Sequence, residues 1–307
     1  LSAFHIGFVL GPCINASGRL DTATRALALL CTEDRQKAAK LAGDLYDLNQ
    51  SRKAMTEQGK EQAINEIETE SINKDRVLVV YLPECHESLA GIIAGRIREL
   101  YHKPVFVLTK AENGVKGSGR SIEAYSMYEE LVKCRDLLIQ FGGHPMAAGL
   151  SLPEANVEIF REKINACCGL TEEDFIPKIK IDIPMPVDYP DIPLVNELLL
   201  LEPFGKANVK PQFADKNLGI DRAVVVGKNQ NVLKLTLKTE RGKSISAVYF
   251  GGVEKFREYY GRKYGENEVQ QAFLGRTNGI RMSVVYYPEI NRYQGNESIQ
   301  IVIKNYQ

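Results

Sequence analysis

An α/β domain followed by a small all-β barrel is the fold this sequence predicts, on three observations. Residues 76–108 run strand, helix, strand, with small residues facing one side of the helix. Residues 116–150 place two glycine-rich segments on either side of a helical pattern. After Pro203-Phe204-Gly205 the texture turns to short strands. The 307 residues are 44% hydrophobic and 25% charged, an ordinary globular composition with room for two sizeable cores. No run is apolar enough to span a bilayer and no signal-peptide pattern is present, so a cytoplasmic location without a membrane partner is expected.

Taken in order, the opening LSAFHIGFVLGP is apolar and uncapped, as the end of a domain would be, and residues 1–33 are assigned to such a remnant. Asn15-Ala16-Ser17-Gly18-Arg19 reads as a loop of phosphate-binding residue types. Asp21 or Thr22 then caps a helix running to about Cys31. Residues 34–72 read as one long helix, with Ala38, Leu41, Leu45, Leu48, Met55, Ile64 and Ile67 near helical period. It is expected to join two domains with a groove between them, which Arg52 and Lys53 could line, a solvated face being the plainer reading of the pair.

Residues 73–170 form the expected α/β domain. Arg76–Tyr81 reads as a buried strand, Ser88–Tyr101 as a helix that packs closely through Ala90, Gly91, Ala94 and Gly95, and Val105–Leu108 as a parallel neighbour. His86 stands at the strand-to-helix turn, where open α/β sheets bind ligands. Lys116–Leu150 reads as strand, glycine-rich turn, helix, glycine-rich turn, strand. Glycines let backbone N–H groups approach a ligand, and oriented N–H groups make an anion-binding concavity. Arg120 can fork onto a phosphate, Ser118 can hydrogen-bond its oxygens, and His144 can donate or move a proton near neutral pH. The residue types therefore point to a phosphate site built from two loops, or, more plainly, to two tight turns and a satisfied histidine.

Residues 171–307 form the expected barrel domain. Lys178–Pro186 alternates as a half-buried strand, and Pro193–Leu201 reads as a short helix. Strands are predicted at 219–226, 231–238, 243–249, 269–276, 281–287 and 297–304, interrupted by one helix, Val253–Tyr260. That count suits a closed barrel of oligonucleotide-binding type. Charge is unevenly spread: residues 205–307 carry 17 Lys and Arg against 9 Asp and Glu, whereas residues 1–204 carry 22 against 30. Such asymmetry suits a polyanion at the C-terminal part. Lys234, Lys238, Arg241, Lys243, Arg276, Arg281 and Arg292 interleave with Tyr249, Tyr286, Tyr287 and Tyr293, cations for phosphates and rings for bases, with about half the tyrosines assigned to the core.

Cysteines at 13, 31, 85, 134, 167 and 168 form no CxxC pair, and histidines at 5, 86, 102 and 144 are scattered. Reduced thiols and no metal site in this chain are expected.

Several stretches together resemble one family. GSGRS (Gly117–Ser121) and FGGHPMAAGLSL (Phe141–Leu152) resemble the DHH-associated domain of RecJ-type single-strand-specific exonucleases. GPCINASGRLDTATRALALL (Gly11–Leu30) and HESLAGIIAGRIRELYHKPVFVL (His86–Leu108) look like segments upstream in that family. LEPFGKANVKPQF (Leu201–Phe213) and NRYQGNESIQIVI (Asn291–Ile303) look like its terminal OB-fold barrel. The resemblance implies the end of a DHH domain, a long helix, a mixed-sheet α/β domain and an OB-fold. It implies that Arg19 stabilises charge at the scissile phosphate while Asn15 shapes that loop, and that His86 faces the cleft. It implies that Ser118 and Arg120, with neighbouring Ser121, hold a terminal phosphate, and that Gly142, Gly143 and His144 hold the phosphate near the cut.

In such enzymes Mn2+ or Mg2+ sits in a DHH domain, and two ions generate the hydroxide and clamp the phosphodiester. No DHH triplet is present here, so the metal is expected in a missing domain and this chain is expected to be inactive alone. The implied activity is five-prime to three-prime digestion of single-stranded DNA in repair and recombination, with a single-strand-binding protein or a helicase as further partners. Two alternatives are a DHH phosphoesterase of cyclic dinucleotides or short oligonucleotides, which needs no strand-gripping barrel, and a non-catalytic single-strand-binding paralogue.

Overall fold

A computed structural model describes residues 3–227, 229–293 and 295–307. The side chain of Tyr293, and Leu1 and Ser2 of the opening apolar run, lie outside the described residues. The chain divides into two units, Leu1–Pro177 and Lys178–Gln307.

The first unit opens on a π-helical turn, His5–Leu10, that runs into α1 (Gly11–Leu20). The expected loop at Asn15–Arg19 is therefore helix. Pro12 sits in the first turn, where its missing N–H costs nothing. Ala16 and Ser17 are buried, and that packing outweighs the cost of about 1 kcal/mol for Gly18 within a helix. Helix α2 (Ala23–Cys31) follows, with Thr22 as its extended N-cap. Helix α3 (Arg35–Thr69) starts where the Asp34 carboxylate accepts N–H groups of Gln36 and Lys37 at 2.8 and 3.1 Å. Its 35 residues span roughly 50 Å at the standard rise.

Then come β1 (Leu78–Tyr81), α4 (Ala90–Tyr101), β2 (Val105–Ala111), β3 (Gly114–Arg120), α5 (Met127–Lys133), β4 (Gln140–His144), β5 (Ala147–Leu152) and α6 (Val157–Ala166). The sheet runs β1-β2-β3-β5-β4, with β1 and β2 parallel and the other pairs antiparallel. On one face Leu78, Val80, Val105 and Val107 pack with Ile67 of α3 and with Ile93 and Ile97 of α4. On the other, Val79, Phe106, Leu108 and Leu150 pack with Leu131 of α5 and with Phe160 and Ile164 of α6.

The expected glycine-rich turns are strands instead. Gly117 and Gly119 lie inside β3, and Gly142 and Gly143 inside β4. The tight reversal falls instead at Pro145-Met146, between β4 and β5. A Cβ on Gly117 would stand 2.3 Å from Leu108 Cδ2, and one on Gly119 would stand 2.6 Å from the Phe106 ring. Those two glycines admit large core side chains, not a ligand.

The second unit holds β6 (Ile183–Pro184), α7 (Ile192–Leu199), β7 (Phe213–Val226), β8 (Val232–Lys238), β9 (Ser244–Tyr249), α8 (Val253–Tyr264), α9 (Glu266–Phe273), β10 (Arg281–Tyr293) and β11 (Asn296–Tyr306). Its strands run β10-β11-β9-β8-β7-β6, and β10 also pairs with β7, which closes the barrel. Two expectations fail. The alternation over 178–186 yields only the two-residue β6, with Ile179, Ile181 and Ile183 all exposed; Pro184 and Pro186 withhold ladder donors. The strand expected at 269–276 is largely helix α9, because Val269 and Ala272 bury at helical spacing behind an acidic first turn. Among the described residues no helix is long and apolar enough to cross a membrane.

Candidate nucleic-acid interface

The strand pairing decides which side chains share a face, since residues directly opposed in a sheet point the same way. Arg120 of β3 pairs with Ala147 of β5, which pairs with His144 of β4. Ser118 pairs with Gly149, and Gly149 with Gly142. Two adjacent rows, Arg120–Ala147–His144 and Ser118–Gly149–Gly142, therefore pave one face. Two strand spacings put Arg120 and His144 about 10 Å apart at the backbone. The small residues leave this floor low. A Cβ on Gly142 would meet nothing within 4 Å, and one on Gly149 only the Gly117 carbonyl at 3.9 Å. A cavity of about 510 Å³ opens over the Ser118–Gly149–Gly142 row, bounded also by Ser88, Ala90, Lys116 and Phe141, with Arg120 and His144 outside its lining. Lys116 and Glu87 bridge at 2.8 Å beside it.

Arg120 is aimed by neutral groups. Its Nη1 donates to the Gly119 carbonyl at 2.7 Å and to Ser118 Oγ at 3.2 Å. Burial lowers its pKa from the ordinary arginine value, and nearby Arg19 and Arg98 lower it further. Helix α4 comes this close because of Gly91, where a Cβ would stand 2.6 Å from Arg120 Nη2 and 2.8 Å from Ser118 Oγ. The small residues of that helix promised close packing in the sequence, but not that one of them makes room for the arginine.

Arg19 Nη1 donates to the Ser88 carbonyl at 2.8 Å. Ser88 in turn is tied to His86, whose Nδ1 lies 2.8 Å from Ser88 Oγ and accepts its N–H at 3.3 Å. His86 thus caps the short turn Glu87–Leu89 and joins the Arg19 group. Asn15 is exposed one helical turn before Arg19, on the same side of α1.

At the far end of the row, His144 is exposed and its Nδ1 accepts the Met146 N–H at 3.2 Å. In the neutral ring the proton then sits on Nε2. Gly143 has φ +151°, and a Cβ there would lie 2.4 Å from the Ala147 carbonyl oxygen, so only glycine fits. Ser121 does not join the site: it is 1% exposed and donates its hydroxyl to the Tyr125 carbonyl at 2.5 Å. The sheet face can accept an anion between Ser118, Arg120 and Arg19, with an open glycine strip leading to His144.

In the barrel, Leu233, Leu235 and Leu237 of β8 are buried while Lys234 and Lys238 are exposed. Tyr286 and Tyr287 are not stacking platforms: both are core, and Tyr286 donates to the Met185 carbonyl at 2.9 Å. Tyr249 is half-buried and packs edge-on against Tyr306. Among the described residues no group of three or more His, Cys, Asp or Glu side chains converges as metal ligands would.

Residues 74–170 match the DHHA1 domain family, and residues 181–305 match the RecJ OB domain family. The chain is 32% identical over 304 residues to a single-stranded-DNA-specific exonuclease RecJ of Bacillus subtilis, covering 98% of the chain and 36% of that protein. It is 31% identical to the RecJ of Escherichia coli, covering 99% of the chain and 51% of the relative. The crystal structure of RecJ with Mg2+ from Thermus thermophilus superposes with a TM-score of 0.76 at 25% identity, over all of this chain and 44% of that one. A second crystal structure of the same RecJ holds Mn2+. The chain thus spans about a third to a half of the length of these relatives.

Proposed function

The chain belongs to the RecJ family, whose DHHA1 and OB domains it carries, and on that premise we propose that it is the strand-holding part of a single-stranded-DNA-specific exonuclease. In this reading the full-length enzyme digests DNA from the five-prime end in repair and recombination. Ser118 and Arg120 take the terminal phosphate, the strip at Gly142 and Gly149 passes the backbone, and Arg19 and His144 face the phosphate being cut. Arg19 neutralises charge that grows on the phosphate oxygens, and His144 offers Nε2–H as a donor. His86 and Asn15 orient the Arg19 group. The barrel adds a second, sequence-independent grip through its exposed cations. Mg2+ or Mn2+ is the metal of the solved relatives, but the residues described here do not fit a metal site, and no step is assigned to one within this chain. Single-strand-binding proteins and helicases belong to the same proposal as partners of the whole enzyme.

One observation carries the reading. Arg120 is half-buried beside Ser118 and Arg19, and has no carboxylate within salt-bridge distance among the described residues. A charge left unneutralised in such a position is best explained by an anionic ligand. The test compares five-prime-phosphorylated and five-prime-hydroxyl single strands by fluorescence anisotropy. Arg120→Ala should weaken the phosphorylated strand about 10- to 100-fold, the scale of one charge-assisted hydrogen-bonded contact. The hydroxyl strand should lose about threefold or less. Equal losses on both would remove the terminal-phosphate role.

A further inference from the structure

Of the two readings the sequence leaves for Arg52, a solvated face or the lining of a groove, its surroundings do not suit the first. Arg52 is half-buried on α3. Its Nε and Nη2 both donate to Asn49 Oδ1, at 3.1 and 3.0 Å. Asn49 is only 3% exposed, an unusual setting for a side-chain amide. Its Nδ2 reaches Cys13 Sγ at 3.5 Å. Cys13 and Arg19 both belong to α1, so the buried amide joins the helix that carries Arg19 to the guanidinium of Arg52.

Three arginines now share one pattern. Arg19 is held by the Ser88 carbonyl, Arg120 by the Gly119 carbonyl and Ser118 Oγ, and Arg52 by Asn49 Oδ1. Every anchor is a neutral oxygen. None of the three has an acidic partner within 4 Å among the described residues; Arg25, Arg96, Arg98 and Arg161 of the same unit each have one, and Arg35, Arg76 and Arg135 have neither such a partner nor a side-chain anchor of the kind that holds these three. The pKa of Arg52 is lowered by burial and then by Arg19, and that of Arg120 by burial and then by Arg19. Like charges fixed within range of one another repel, and that repulsion is relieved when anions share the space. One phosphate suffices for Arg120 and Ser118. It leaves Arg52 unanswered.

Resting on the terminal-phosphate reading above, we infer that Arg52, presented by the buried Asn49, is a ligand for a second, internucleotide phosphate, with Arg19 shared between the two phosphate positions. The preferred ligand is then a strand bearing at least one internal phosphodiester rather than a nucleoside monophosphate. Asn49 is a positioning residue: it touches no substrate, and acts by fixing the guanidinium and tying it to α1.

The test is calorimetric titration of the full chain with thymidine 5′-monophosphate and with the 5′-phosphorylated thymidine trinucleotide, each over a range of salt. The trinucleotide should bind the unmodified chain more tightly. Arg52→Ala should weaken the trinucleotide about tenfold and the mononucleotide at most twofold. It should also lower the dependence of log affinity on log salt by about 0.7, the value of one lost phosphate contact on a single strand. Asn49→Asp keeps the acceptor but neutralises Arg52, and should give the same selective loss and the same fall in salt slope. This second variant keeps the test decisive where Arg52→Ala folds poorly. Undiminished trinucleotide binding in Asn49→Asp, or equal losses on both ligands in Arg52→Ala, overturns the inference. If Arg120→Ala weakens both ligands while Arg52→Ala weakens neither, the terminal site stands and the second does not. If neither variant changes anything, both readings fall.

Discussion

The α/β unit and the barrel carry arginine and lysine in two different ways. In the α/β unit Arg19, Arg52 and Arg120 are held by neutral oxygens and left without counter-charges. In the barrel the cations are more numerous than the acids, and among the described residues only Lys210, Lys238, Arg262 and Arg292 meet a carboxylate, while others such as Lys234 stand exposed on the surface. Net charge therefore marks the wrong place to look for a pocket. In the proposed function the unit with the acidic surplus holds the phosphate site, because a fixed, unneutralised cluster depends on local geometry and not on composition. A diffuse basic surface gives salt-dependent attraction that ignores strand ends, whereas a fixed cluster reads one chemical group.

The largest expected effect tests the fixed cluster. Gly91→Val places carbon where Arg120 Nη2 and Ser118 Oγ now sit, 2.6 and 2.8 Å from a Cβ. Preference for phosphorylated over hydroxyl strands, measured by anisotropy, should vanish, while barrel-driven binding of both persists. Gly143→Ala comes next. It forces a side chain into a φ of +151° against the Ala147 carbonyl, and should cost about 1–3 kcal/mol. Calorimetry should show the loss in the α/β unit's transition alone.

Tyr286→Phe removes the hydroxyl that donates to the Met185 and Pro186 carbonyls and should cost the barrel about 0.5–1.5 kcal/mol. Strand binding should not change; a clear loss would return the ring to the interface. Lys234→Ala should weaken phosphorylated and hydroxyl strands equally and only a few-fold, with a salt slope shallower by about 0.7 if it meets one phosphate.

The last effect is alkaline. Burial pushes the Cys134 thiol from 9.0 up to about 11. The unfolded chain ionises first, so this thiol's contribution is intact below pH 9 and is lost as pH rises toward 11. Cys134→Ser should flatten the decline of the α/β unit's melting temperature over that window; an unchanged decline would assign it elsewhere.

Much of this was legible in the sequence where local chemistry is self-sufficient. The period of α3, its Asp34 cap and the alternating β8 declare themselves, because each depends on neighbours one to four residues away. The errors share one cause. Asn15–Arg19 reads as a loop until Ala16 and Ser17 are seen buried, and Gly117 reads as a ligand turn until Leu108 is seen across from it. The stretch 269–276 carries β-formers, but the burial of Val269 and Ala272 makes it helix.

Sequence alone determined the α/β-then-barrel fold class and the family, and it singled out Ser118 and Arg120 as the residues the proposed phosphate site rests on, since these follow from residue type and short-range order. Tertiary structure alone decided that Arg120 and His144 share one row, that Ser121 and Tyr286 are buried, and that the buried Asn49 holds the Arg52 guanidinium. The reason is physical. Which residues become neighbours across strands is set by register, and which charges go unanswered is set by burial, and both are properties of the packed chain rather than of any segment of it.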